Sequence, residues 1–592
     1  GKCSLSYVFQ GGLMFKKFWW FISFYKFKYI LAIIFLLLSN LFGLIPPYIT
    51  GRLTDMILEG TIALRPFLLI LLINLIVIII KYFFAMGWSY FTFRAADEID
   101  IKARDNLMTK FLKQSLKFFE ENSTGSLMAK STNDVNSLSD LAGFGTLSLF
   151  DSTVFPFLII IMMMIVVDVR LTLASIVPLP VLAYLVIIIG NKIYVRWDKV
   201  QRAFDNLNTN VLEDVEGIRI IRVFNLQRSR HDNFEIRGQD LVDRNLDVVK
   251  YQALIAPIQS IIPALTFIIA IAYGSFLISK GEITIGQLLS FTYYLNMLVW
   301  PMYAFGNFIN IKQQANASMD RIQEVLDYKE DIVESDEAVD IKTNPDIEFK
   351  NHSFSYPTSK NDVLKDLNIR LINGKSLGVL GKTGSGKSTF LKQLLTLYPM
   401  RTDSIYLDGE EIGTYTRSSI RELIGYVPQK HMIFSKSIKD NIKFSKPDSS
   451  DEEVMEAVRL ADLEKDLSTF PKGLDTLAGE KGISLSGGQK QRIGIARAFL
   501  KDPEILILDD AMSAVDGRTE KNIINNIIKN RRGKTTIIAS HRISQVQDLD
   551  EIIVLEKGQI VERGSHTELL KQGQWYHEQY KNQIARSRFD EE

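Results

Sequence analysis

Two short stretches bring phosphate chemistry into this sequence. "GKTGSGKST" (381–389) follows the apolar run "SLGVL" and precedes "FLKQLLTL", so it joins a strand to a helix. It matches G-x-x-x-x-G-K-[ST], in which glycines let backbone N–H groups wrap a phosphate and the helix start favours an anion. Gly381, Lys382, Thr383, Gly384, Ser385, Gly386 and Thr389 make up the expected cradle. Lys387 is expected to reach the outer phosphates, and the Ser388 hydroxyl to ligate Mg²⁺. In "EILILDDAMSAVD" (504–516) an apolar strand runs into Asp509, which closes that metal site, and Asp510. A turn residue at a strand end is the plain alternative for Asp509, and the phosphate loop argues against it. The chemistry implied is binding of ATP with Mg²⁺, with Asp510 placed to activate an attacking water.

The elements that hold these residues occupy one half of a divided chain. The sequence has 592 residues, too many for one domain, is 47% hydrophobic, and its net charge of +1 offers nothing to nucleic acid. Its single cysteine, Cys3, excludes an internal disulfide framework and a multi-cysteine zinc site. Residues 14–326 carry long charge-free runs, 327–345 are dense in charge ("DYKEDIVESDEAVD") and read as a linker, and 346–592 read as an α/β domain. Met14 begins "MFKKFWWF" and resembles a natural start, so residues 1–13 are expected to be a cloning remnant or upstream reading outside the fold.

A membrane helix needs roughly 20 mostly apolar residues. Six stretches qualify: 29–51, 66–93 with only Lys81, 141–167 with only Asp151, 171–191, 251–279 and 283–311. A signal peptide is the alternative for the first, but no small-residue cleavage site follows it. The loops 92–146 and 191–250 are long and basic, while those on the other side are short, so the long pair should be cytoplasmic. Six is even, which places both termini and the ATPase domain in the cytoplasm. "NTNVLEDVEGIRIIRVFNLQ" (208–227) has helical apolar spacing, so the membrane helices should continue beyond the bilayer. Turns at their tips, such as "FFEENSTGSLMAKSTNDV" (118–135), could then touch the ATPase domain, although a plain solvated hairpin is the alternative.

"LSGGQKQR" (485–492), placed before the strand of Asp509, makes the resemblance specific: the chain resembles the ATP-binding cassette (ABC) family. The likeness covers nearly all of the chain after residue 14. It implies a six-helix transmembrane domain with long cytoplasmic extensions, of the exporter type, followed by a P-loop ATPase domain. It implies that Tyr356 in "FSYP" stacks on adenine, with a core aromatic on an edge strand as the alternative. It implies that Gln429 in "YVPQ" senses Mg²⁺ and the membrane domain, that Asp516 crosses to a partner subunit, and that His541 contacts the γ-phosphate. "LAGEKG" (477–482) is similar to the segment that touches the opposite membrane domain. Leu485, Ser486, Gly487, Gly488 and Gln489 form a second anion nest, which in this family presses on ATP held by another nucleotide domain. One phosphate loop and one signature per chain therefore imply a dimer.

In this family the residue after the strand acid is usually Glu; here it is Asp510. A general base must come within about 2.6–3.2 Å of its water. Asp and Glu have similar pKa values, so reach matters more than basicity. A displacement near 1 Å costs on the order of 100-fold in rate. ATP at this chain's loop is therefore expected to be held but hydrolysed slowly. A homodimer would be slow at both sites. The intact signature points instead to a heterodimer with a second half-transporter carrying Glu, similar to heterodimeric bacterial multidrug exporters. His541 departs from the most degenerate cases and leaves residual hydrolysis open.

The expected function is ATP-driven export of hydrophobic or cationic compounds across the bacterial cell membrane. Asp151 is an intramembrane acid and so a functional candidate, with an interhelical hydrogen bond as the alternative. Tyr293 and Trp300 in "YYLNMLVWPMYAF" (293–305) add a soft, polarizable wall. A lipid flippase and an ATP-gated channel or regulator are competing readings. The spans carry little polar lining for a channel, and no N-terminal protease domain is expected before residue 29.

Overall fold

The computed structural model of the chain describes residues 11–60, 63–332, 334–357, 359, 361–399, 403–479, 482 and 484–591. Cys3, most of the stretch 1–13, and residues 480 and 481 of "LAGEKG" lie outside the described residues. The chain divides into two compact units. One comprises residues up to Phe111 and Gly125–Tyr328; the other comprises Leu112–Thr124 and the chain from Lys329 onward.

The first unit is helical. Among the described residues four helices are long and apolar enough to cross a membrane: Tyr25–Leu58, Leu64–Lys113, Thr124–Val166 and Gln227–Ser279. Proline breaks the other two expected spans, each into two helices. Val169–Ile176 stops at Val177 before Pro178–Glu216, and Ile285–Met297 stops at Leu298 before Val299–Leu326. Pro178 and Pro180 cannot donate to the carbonyls of Ala174 and Ile176, and Pro301 cannot donate to that of Met297. The 50 residues of Leu64–Lys113 and the 53 of Gln227–Ser279 rise about 75–80 Å at 1.5 Å each, far more than the roughly 30 Å of hydrocarbon. Helices therefore run well past a bilayer's thickness, while 208–227 itself holds the end of Pro178–Glu216, the short helix Ile218–Val223 and the start of Gln227–Ser279.

A polar joint ties the first expected span to the sixth. The buried Asp55 carboxylate accepts from Thr284 Oγ1 at 2.6 Å and from the Gly286 N–H at 2.7 Å. The backbones meet at two glycines: a Cβ on Gly51 would lie 2.4 Å from the Gly286 carbonyl oxygen, and one on Gly286 would lie 2.0 Å from that of Gly51. Farther along, Asp134 accepts from Ser318 Oγ at 3.0 Å and from Arg321 Nε at 2.9 Å.

The second unit holds two sheets. The strands are β1 (Ile347–Phe354), β2 (Leu364–Leu371), β3 (Ser376–Leu380), β4 (Ile405–Leu407), β5 (Glu410–Glu411), β6 (Ile424–Val427), β7 (Ile505–Asp509), β8 (Thr535–Ala539), β9 (Glu551–Glu556) and β10 (Gln559–Gly564). An antiparallel sheet runs β2-β1-β4-β5, and a larger one runs β10-β9-β3-β8-β7-β6. Within the larger sheet β9, β3, β8, β7 and β6 are parallel neighbours. Parallel strands covered on both faces need continuous apolar runs, and "ILILD" and "TTIIA" are buried at every position.

The excursion Leu112–Thr124 belongs with this ATPase unit, inside the stretch 14–326 assigned from sequence to the membrane half. Tyr398 donates its hydroxyl to Glu120 at 2.6 Å, and Ser115 Oγ donates to Asp331 at 3.2 Å. Long-range side-chain pairs decide this placement, which composition alone cannot show.

Candidate functional site

Four parallel strands deliver their carboxyl ends side by side, in the order β3, β8, β7, β6. Ligands in open α/β sheets bind at such ends. The phosphate loop leaves β3, the His541 loop leaves β8, Asp509 ends β7, and Gln429 follows β6.

The loop 381–386 turns into the helix Lys387–Leu394 through Gly386, whose φ of 104° a side chain would strain. At Gly381 a Cβ would lie 2.4 Å from the Leu555 carbonyl oxygen, so the loop has no room for one. Lys387 Nζ donates to the carbonyls of Gly381 at 2.7 Å and Lys382 at 3.1 Å. Burial lowers its pKa, opposed by the charges of Asp510 and Asp509. The Ser385 hydroxyl is buried without a protein partner. A desolvated ammonium and an orphaned hydroxyl at a glycine-rich loop that opens a helix fit a phosphate ligand.

Ser388 Oγ donates to Asp509 Oδ1 at 2.8 Å, and the Tyr426 hydroxyl donates to Oδ2 at 3.3 Å. Asp509 is 3% exposed, and burial raises its pKa against these two hydrogen bonds. This all-oxygen pair suits Mg²⁺, which takes few protein ligands and keeps waters and phosphate oxygens. Ser388 and Asp509 would hold the ion, whose chemistry is to neutralise charge on the phosphates. Tyr426 was not legible in advance, because an aromatic on a strand looks like core.

Asp510 adopts φ 47° and donates its N–H to the Ala539 carbonyl at 2.9 Å. Its carboxylate is met twice: Gln429 Nε2 donates to Oδ2 at 3.3 Å, and His541 Nδ1 lies 3.0 Å from Oδ1. The structure thus brings together Asp510, Gln429 and His541, which are far apart in sequence. Tyr356 sits at the same end. Its hydroxyl lies 3.0 Å from Thr389 Oγ1, and its ring packs edge-on against Tyr398 at 5.1 Å.

The signature opens another helix, Gly487–Lys501. Ser486 caps it, and Ser486 and Gln489 exchange side-chain-to-backbone hydrogen bonds. Leu485 is buried in the core beneath. Gly488 is closely covered, since a Cβ there would lie 2.9 Å from the Ala514 carbonyl oxygen. Gln491 accepts from the Ala514 N–H at 2.8 Å and donates to Ser513 Oγ at 3.0 Å. Asp516 caps the next helix, Gly517–Asn530, by accepting from the Thr519 N–H, which holds its pKa low. Among the described residues no hydrogen bond joins 485–489 to the phosphate loop.

In the helical unit Trp300 Nε1 donates to the buried Asp151 carboxylate at 2.9 Å. Two of the three residues singled out for a cavity thus meet as an interhelical hydrogen bond, while Tyr293 is 48% exposed.

The model of the "ABC transporter transmembrane region" matches residues 29–302, and that of the "ABC transporter" matches 364–513. A probable multidrug resistance ABC transporter ATP-binding/permease protein of Bacillus subtilis, YheI, is 42% identical, covering 96% of this chain and 97% of the relative. The multidrug resistance-like ATP-binding protein MdlA of Buchnera aphidicola (subsp. Schizaphis graminum) is 37% identical over 95% and 97%. A bacterial Atm1-family ABC exporter with ATP bound superposes with a TM-score of 0.76 at 24% identity, covering 94% of this chain and 98% of the exporter. The chain belongs to the ABC transporter family, as an exporter-type polypeptide that joins a transmembrane region to a transport ATPase domain.

Proposed function

We propose that this chain is one half of a heterodimeric exporter of hydrophobic or cationic compounds, holding ATP at a slow site and completing a faster site on its partner. Two relatives bear multidrug resistance names, which supports the substrate class. The observation that carries the asymmetry is Asp510. Its short carboxylate is engaged by Gln429 at 3.3 Å and His541 at 3.0 Å. A carboxylate one methylene shorter than Glu and tethered on both oxygens stops about 1 Å from where a water needs it, a loss on the order of 100-fold. ATP binding brings two nucleotide domains together, and closure favours the outward state because ATP binds it better. This chain's residues clamp phosphate (Lys387), orient the ion site (Asp509) and offer Ser486 with its glycines to the partner's ATP.

The test is transport into vesicles with both subunits present. Asp510→Asn here is compared with the matching Glu→Gln in the partner. The reading expects a small loss from the first and near-abolition from the second; equal losses contradict it.

A further inference from the structure

The loop that carries His541 is held from behind by residues with no assigned role. Gln583, on the C-terminal helix Trp575–Glu591, donates through Nε2 to the His541 carbonyl at 2.9 Å and accepts through Oε1 from the Ile543 N–H at 2.8 Å. Its two partners, one acceptor and one donor, fix the orientation of the amide. From the other side the buried Glu520 accepts from Arg542 Nη1 at 2.7 Å, Ser544 Oγ at 2.6 Å and Gln545 Nε2 at 2.9 Å.

The helix that brings Gln583 is itself anchored. Tyr576 is fully buried, its N–H donates to both Glu562 carboxylate oxygens at 3.2 and 3.3 Å, and its hydroxyl lies 2.6 Å from His566 Nδ1. Gln583 lies seven residues on, on the same helix face and about 10.5 Å along the axis. The helix is therefore a strut, fixed at Tyr576 and braced at Gln583 against the backbone of the residue whose imidazole meets Asp510 at 3.0 Å. Only Cα and Cβ separate the braced carbonyl from that ring.

We propose that Gln583 is a positioning residue: it sets the His541 backbone so that the imidazole faces both Asp510 and the outer phosphate of ATP. The inference rests on the reading that this chain's phosphate loop binds ATP. A loop released at one hydrogen-bonded pair shifts by a fraction of an ångström, enough to disturb an imidazole that must sit between two groups.

The experiment uses the full-length protein in nanodiscs, as wild type, Gln583→Leu, Gln583→Glu, His541→Ala and the Gln583→Leu/His541→Ala double variant. Three quantities are read: affinity for a fluorescent ATP analogue, ATP-over-ADP preference by competition, and single-turnover cleavage of ATP. Thermal melting reports folding. We expect melting and ADP affinity, read in the same competition, to hold in Gln583→Leu while cleavage and ATP preference fall by about tenfold, a share of the roughly 100-fold that a 1 Å misplacement costs. Gln583→Glu, which keeps the acceptor but turns a carboxylate on the His541 carbonyl, falls at least as far. On the His541→Ala background Gln583→Leu adds nothing, because the brace acts only through the ring. The inference is overturned if the two losses multiply, if Gln583→Leu changes neither readout, or if it lowers only the melting temperature. A wild-type chain that binds no ATP analogue overturns the underlying ATP-site reading and this inference with it.

Discussion

The phosphate loop and the signature are both glycine-rich turns that open helices, and they solve different problems. At Gly384 and Gly386 of the loop, glycine serves backbone conformation, with φ of 82° and 104°. In the signature it serves proximity: Gly488 lies under the Ala514 carbonyl with no room for a Cβ. The loop is also backed by its own chain, with Asp509 on Ser388 and Asp510 near Lys387. The signature backs onto residues 513–514 through Gln491 and aims no hydrogen bond at the loop among the described residues. One anion nest comes with the acids of a metal site; the acid beside the other, Asp466, is taken up by Gln489 and Arg492. That division is what the proposed dimer would use, with this chain's signature completing a site on its partner.

Breaking the loop should have the largest effect. Lys387→Ala should weaken ATP binding at this chain's loop by about 100-fold or more, since it removes a charge-assisted contact to phosphate. Ser486→Ala should leave that affinity unchanged. A nucleotide titration of both variants checks this, and equal weakening would dissolve the distinction between the two nests. Asp510→Glu comes next. Restoring the methylene should raise phosphate release by the isolated chain by about 10- to 100-fold; no gain would show that reach is not what limits the site.

Stability effects are smaller. Gly488→Ala pushes a Cβ to 2.9 Å from a carbonyl and should cost about 1–3 kcal/mol by overpacking. Gly384→Ala meets nothing within 4 Å and pays only for its φ of 82°, about 1–2 kcal/mol. Thermal melts of the two variants separate proximity from conformation, because Asn tolerates positive φ and Gly384→Asn should recover part of the loss while Gly488→Asn should not.

A pH-dependent effect lies beneath the signature helix. The His431 ring packs against Gly494, and burial, with the Arg497 charge second, pushes its pKa from 6.5 down to about 4. The folded chain keeps this ring neutral while the unfolded chain protonates it below about 6.5. Its contribution is thus present above pH 6.5 and lost as pH falls toward 4. Melting temperature should decline over that interval, and His431→Leu should flatten the decline. An unchanged slope in the variant would assign the pH dependence to other groups.

The phosphate loop was legible because its glycines, lysine and serine lie within nine consecutive residues and their strand and helix flank them. Asp509 was legible because a buried parallel strand must be apolar until it stops. The helical extensions showed in the spacing of 208–227. The proline breaks were visible as letters, but whether Pro178 and Pro301 divide a helix or merely bend it depends on what packs around them. Asp151 was found as an intramembrane acid, while its partner Trp300 became a partner only through packing.

The contacts that stayed hidden share one trait: each joins residues far apart in the chain. Gln583 and His541 are 42 residues apart, Tyr398 and Glu120 are 278 apart, and Asp55 and Gly286 are 231 apart. By itself the sequence determined which chemistry this chain carries, because a phosphate nest, a strand acid and membrane spans are built from neighbours whose spacing dictates local geometry. Only the tertiary structure decided how that chemistry is held in place. A brace, a cap from a distant helix or a glycine-to-glycine contact exists only once folding has brought separate segments within hydrogen-bonding distance.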